Sequence, residues 1–236
     1  MKKENPIYLP GLKKQYEFLI SKLELNGLKI LVLGSSSYSI AKMLSLKSDN
    51  TVDIVVEDYE SLLVTQLESG KNSELNIKLM DFEKTDYLEN TFDLVYAQGS
   101  ISDKRRKKII KEITRILKPN GYLSVSEIVK LEDKIPNFIK EIYDLSNLDP
   151  LYSNNLNSFY EERNFEIIDS TNLSHTLREY YSLTLKLLKD NVKFLAPNEK
   201  AYYKKLLNKI NHESNVYLKL GGDRFMGLIS LIFKIK

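Results

Sequence analysis

The chain has no cysteine and no tryptophan. Without cysteine there is no disulfide framework, no thiolate nucleophile and no thiolate metal site. Its two histidines, His175 and His212, stand far apart in the sequence, so no metal is expected. No apolar run approaches the ~18 residues of a membrane span. The opening MKKENPIYLPG is basic but is not followed by the apolar stretch of a secretory signal. An excess of one charge is missing too. The 35 Lys and Arg against 32 Asp and Glu leave +3, too little to imply a nucleic acid or a membrane as partner. A cytoplasmic protein is the default expectation, and oligomeric state stays open.

What is present is periodic. At 236 residues the chain is long enough for one large domain with a full core. Residues 29–33 (KILVL) are a short continuous apolar run of the kind that forms a strand buried on both faces, and further strands are expected at residues 53–56, 76–80, 92–97 and 122–125. Between them lie segments with helical spacing at residues 38–46, 59–68 and 103–117, and residues 13–25 place a helix before the first strand. Strands alternating with helices predict an α/β fold, a doubly wound, mostly parallel sheet. Further helices are expected at residues 135–145, 155–163 and 174–194, the last resuming after Pro197 to about residue 210. Strands are expected at residues 165–168 and 228–235. Seven strands in all are expected, with the late helices capping one edge of the binding face.

The segment from Asn90 to Ser126 is the most informative. It holds an acidic strand start, a helix with Lys-Glu-Ile-x-Arg-x-Leu, and the turn Lys118-Pro119-Asn120-Gly121 leading into a strand. This pattern resembles the fourth and fifth strand region of class I S-adenosylmethionine-dependent methyltransferases, and the likeness covers residues 28–126. Near the C-terminus, Tyr180 to Leu185 (YYSLTL) and the closing GGDRFMGLISLIFKIK are similar to small-molecule members of that superfamily. The resemblance implies a Rossmann-like fold, S-adenosylmethionine as cofactor, and a small-molecule methyl acceptor with an N, O or C nucleophile. It divides the chain into a cofactor-binding core with an N-terminal lid helix, residues 1–130, and a remainder, residues 131–236, of helical cap insertions plus the last two strands.

The resemblance also assigns residues. The family carries an acid and three glycines at alternate positions after the first strand, and here Val32, Gly34, Ser36 and Tyr38 stand there. Only Gly34 matches, so Gly34, Ser35 and Ser36 form either the methionine-side loop or an ordinary strand-to-helix turn. Glu57, ending the second strand, is the ribose ligand, because a carboxylate can accept two hydroxyls at once. A solvated acid at a helix start is the alternative. Asp81 with Phe82 is the adenine site, the alternative being a turn cap. Gln98 lies beside the transferred methyl.

Acceptor residues are less constrained. His175 is the candidate catalytic base, or a surface histidine at a helix start. Tyr143 and Tyr180 offer aromatic faces, and Arg224 offers a bidentate donor to a carboxylate. The run Lys104-Arg105-Arg106-Lys107-Lys108 is expected to form a solvated helix face rather than a nucleic-acid site, since no aromatics interleave it. Two rivals remain: a methyltransferase-fold binding or partner subunit without catalysis, and an RNA or protein methyltransferase.

Overall fold

The structure, a computed structural model, describes residues 7–69 and 75–236. Five parallel strands lie in the order β3 (Asn76–Leu79), β2 (Val52–Val56), β1 (Ile30–Leu33), β4 (Phe92–Gln98) and β5 (Leu117–Lys130). The sheet continues with β8 (Met226–Ile235), antiparallel to both neighbours, and ends on β7 (Phe165–Asn172). These seven strands form the expected path. An eighth, the two-residue β6 (Leu151–Tyr152), pairs with the end of β5.

Alternation explains why the central strands are apolar on both faces. Leu31 and Leu33 of β1 join one buried cluster, with Ile109, Ile110, Ile113 and Ile116 of α4 (Arg106–Ile116). Ile30 and Val32 join another, with residues of α1 (Lys14–Lys22) and α2 (Tyr38–Ser48). The spacing of the α4 isoleucines makes one apolar stripe, which is why that charged sequence is a helix lying on the sheet. Four of them are essentially fully buried, each burial stabilising by roughly 1.5–3 kcal/mol.

The turn at Lys118 to Gly121 falls within β5, with Asn120 in the left-handed region (φ 63) and a register shift against β4. Between β5 and β7 run α5 (Asn137–Leu145), β6 and α6 (Leu156–Glu161). Between β7 and β8 run α7 (His175–Val192), α8 (Pro197–Tyr202) and α9 (Lys204–Lys219). α9 continues well past the residue 210 expected from sequence. α5, α7 and α9 share a third cluster that contains Ile142, Leu177 and Tyr217, and it stands on Ile128 and Leu228 of the sheet. This cap rises beside the carboxyl ends of β1 and β4.

Candidate active site

Ligands of open α/β sheets bind beyond the carboxyl ends of the strands, where the order reverses; here that point lies between β1 and β4. After β1 the backbone turns at Gly34 (φ +131), whose N–H donates to Val55 O at 3.0 Å. Ser37 donates to Gly34 O at 2.6 Å, and Ser100 crosses over to donate to Leu33 O at 2.7 Å. A Cβ on residue 34 would meet Ser100 Cβ at 2.9 Å, so glycine is required by both conformation and space. Ser35 and Ser36 stay exposed at the rim.

A cavity of ≈ 390 Å³ opens beside this turn. Ser35, Ser36, Gln98, Gly99 and Ser100 form its floor, and Tyr8 to Pro10 one wall. The cap supplies the other wall through Tyr180 and Tyr181 of α7 and Lys209 and Glu213 of α9. The N-terminal segment is held down firmly. Gln98 Nε2 donates to Pro10 O at 2.8 Å and Leu12 O at 2.7 Å, while its Oε1 accepts from Tyr96 at 2.6 Å. Pro10 packs on Gly99, where a side chain would meet it at 3.0 Å. Gln98 therefore lines the cavity but spends its amide on fastening the segment above it.

Past the end of β2, Glu57 is engaged on both oxygens. Arg105 donates Nη1 to Oε1 at 2.8 Å and Nη2 to Oε2 at 2.7 Å, and Phe82 N–H donates to Oε1 at 2.9 Å. The guanidinium also holds Asp103 through Nε at 3.0 Å and Nη2 at 2.9 Å, and stands 3.8 Å from both Asp81 and Glu83. Asp81 is largely exposed and accepts Glu83 N–H at 2.8 Å, a local turn bond. Phe82 itself is buried in the core.

Arg105 and Arg106 depart from the solvated face expected for the basic run. Arg106 is 3 % exposed. It donates to Glu127 of β5 at 2.9 Å and to Asp149 O at 2.7 Å. Glu127, fully buried, also accepts from Tyr160 at 2.6 Å and from Ser102. An unpaired buried charge is costly, so this network is closed on all sides. It fixes the start of α4 and hence the point from which Arg105 reaches Glu57. Lys108 fits the expected face, paired at the surface with Glu83.

Three expected acceptor residues lie outside the cavity. His175 is exposed at the first turn of α7, because Thr176 and Leu177 are the residues that turn inward there. Arg224 is exposed, 3.6 Å from Glu132. Tyr143 is buried in the cap cluster and lines a second cavity of ≈ 570 Å³, its hydroxyl without a hydrogen-bond partner among the described residues. Tyr180 does line the first cavity. Sequence reasoning passed over Glu213, Lys209 and the inward reach of Arg105. For Glu213 a signal existed: it stands three and four residues before Val216 and Tyr217, on the buried face of α9.

Residues 31–125 match a family model described as "Methyltransferase domain". Over those residues the chain is similar to a methyltransferase domain. The glycine/sarcosine/dimethylglycine N-methyltransferase of Actinopolyspora halophila is 27% identical over 146 residues, 60% of this chain and 25% of that protein. The chain thus spans a quarter of the length of that relative. Among solved structures, phosphoethanolamine N-methyltransferase 2 of Haemonchus contortus, in complex with phosphomonomethylethanolamine and S-adenosylhomocysteine, is similar with a TM-score of 0.76. Its identity is 15%, with 95% of this chain and 52% of that one covered. The cyclase SpnF is similar with a TM-score of 0.74 and 20% identity, over 93% of this chain and 78% of that one. These likenesses show a Rossmann-like fold. No helix of the described residues is long and apolar enough to cross a membrane.

Proposed function

We propose that the chain is an S-adenosylmethionine-dependent methyltransferase that acts on a small-molecule acceptor. The observation that carries this reading is Glu57. Its two oxygens take two side-by-side donors from Arg105, the pattern that the vicinal hydroxyls of a ribose also present. Glu57 in this reading holds the ribose, with Arg105 swinging aside toward Asp103. Asp81 and the backbone of Phe82 flank the adenine, the Phe82 amide being released from Glu57 as Arg105 leaves. Gly34, Ser35 and Ser36 meet the methionine end, and Gln98 closes the floor beneath the methyl.

When bound, the cofactor supplies an electrophilic methyl on sulfonium sulfur. The protein's work is then positioning and exclusion of water. The segment from Tyr8 to Pro10, fastened by Gln98, walls the cavity on one side. The tyrosines of α7 wall it on the other and define the acceptor's end.

A non-catalytic binding protein is the second reading, favoured by the same Arg105 and by a first loop with one of the four family residues. Fold alone does not decide, since one structural neighbour is a cyclase. Calorimetric titration with S-adenosylmethionine and S-adenosylhomocysteine tests the choice. Micromolar binding with methyl transfer to a small acceptor is expected. A folded sample that binds neither overturns the methyltransferase reading.

A further inference from the structure

Glu213 is the acidic side chain in the cavity lining, and it faces the acceptor end rather than the Glu57 end. Ser146, after α5, donates to its Oε1, and Lys209 stands 3.9 Å from the same atom. Its Oε2 has no donor among the described residues. Tyr180 and Tyr181 are beside it in the cavity wall, their rings edge-to-face at 5.0 Å. A carboxylate oxygen left free next to aromatic faces, on a side chain only 16 % exposed, is complementary to a cation that is also an N–H donor.

We propose that the acceptor is a small primary or secondary amine, bound as its ammonium by Glu213 Oε2 between the cap tyrosines, and that Glu213 takes its proton. This rests on the methyltransferase reading of the same cavity. The step balances within the pair. One N–H bond breaks with its electrons left on nitrogen, an O–H bond forms on Glu213, and the neutral amine gains the lone pair that a methyl acceptor needs. Burial raises the Glu213 carboxyl above its usual range, against the opposing pull of Ser146, Lys209 and His212. That raises its proton affinity toward the task. The groups around it are Lys209 and His212 on α9, Tyr180 and Tyr181 on α7, and Ser146.

The test is calorimetry on the full chain, first with S-adenosylhomocysteine and then, in its presence, with benzylamine, benzyl alcohol and benzoate. Benzylamine is expected to bind at least tenfold more tightly than its neutral and anionic matches. Its affinity should fall at least tenfold in Glu213→Gln, with S-adenosylhomocysteine binding unchanged. It should also weaken as pH drops through the raised Glu213 titration. If Glu213→Gln does not fold, Lys209→Met serves instead, and losing the competing ammonium should tighten benzylamine. Equal binding of the three probes, or an amine affinity indifferent to both variants, overturns the proposal while leaving the methyltransferase reading intact. Failure of S-adenosylhomocysteine to bind sinks that reading instead. The acceptor role of Glu213 falls with it, because a methyl acceptor needs a bound methyl donor.

Discussion

At the β2 and β3 end of the binding face, Glu57, Asp81, Glu83 and Asp103 all share the cation Arg105, and Glu83 also holds Lys108. At the β1 and β4 end, backbone turns, serines and tyrosines surround an open cavity with Glu213 half satisfied. The two ends share a sheet and differ in charge density. Glu57, Glu83 and Asp103 are partly buried carboxylates, too costly to leave together without a counterion, so a nearby guanidinium is drawn in. Hydroxyls and aromatic faces carry no such demand, and the space between them stays open. A ligand entering the first end must therefore replace an internal partner, whereas one entering the second need only displace water.

The comparison breaks most visibly through its shared foundation. Removing Glu127 leaves Arg106 buried without its carboxylate, and Glu127→Ala should cost about 3–5 kcal/mol of stability by denaturant titration. A loss under 1 kcal/mol would mean that Arg105 is not positioned from a rigid base. Glu57→Ala comes next. Two charge-assisted hydrogen bonds to a ribose are worth about 3 kcal/mol together, so S-adenosylhomocysteine affinity should drop about 100-fold with little change in melting temperature. An unchanged affinity would mean that the ribose does not use Glu57.

Gly34→Ala probes the open end. The +131 φ and the 2.9 Å approach to Ser100 predict about 1–3 kcal/mol of destabilisation and a distorted loop. Wild-type stability and cofactor affinity in this variant would contradict the tight turn.

The smallest effect is the most discriminating, because acid should act in opposite directions on the β2, β3 and α4 side of the sheet and on the cap. Burial pushes the Asp53 carboxyl up, but hydrogen bonds from Tyr87, Asn76 and Lys78 bring it below its ordinary value. Glu112 is likewise pushed up by burial and brought lower overall by Arg115 and Thr85. Groups with lowered folded-state values stabilise above their unfolded pKa, and that stability is lost as pH falls through the folded one. Glu213, raised by burial, does the reverse: its contribution is full below the unfolded value and is lost as pH rises through the folded one. Hydrogen exchange near pH 4 and below should show the β2, β3 and α4 region loosening before the α7 and α9 cap. Uniform loosening would contradict the contrast.

Much of this molecule is legible in its sequence, for physical reasons that also set the limit. The runs at residues 29–33 and 92–97 announce buried strands because parallel strands bury both faces, and the isoleucines of α4 announce a helix by spacing. Glu57, Asp81 and Gln98 are placed by strand ends, which local pattern locates well. Arg105 and Arg106 are not legible in this way. Within five consecutive cations, nothing local distinguishes the two whose partners stand 48 and 21 residues away. Gln98 shows the same limit, since its pairing with Pro10 and Leu12 depends on a fold-over of the N-terminal segment. His175 looked chemically suited but sits on the outward side of its helix. Glu213 was readable as an acid on an apolar face.

The most direct test pairs S-adenosylhomocysteine titrations of the wild-type chain and of Arg105→Ala. If Arg105 holds the place that a ribose takes on Glu57, both proteins bind and the variant binds about tenfold more tightly, a gain of about 1.4 kcal/mol. If neither binds, or if losing Arg105 leaves the affinity unchanged or weaker, the guanidinium is not a stand-in for the cofactor and the account of the closed end is wrong.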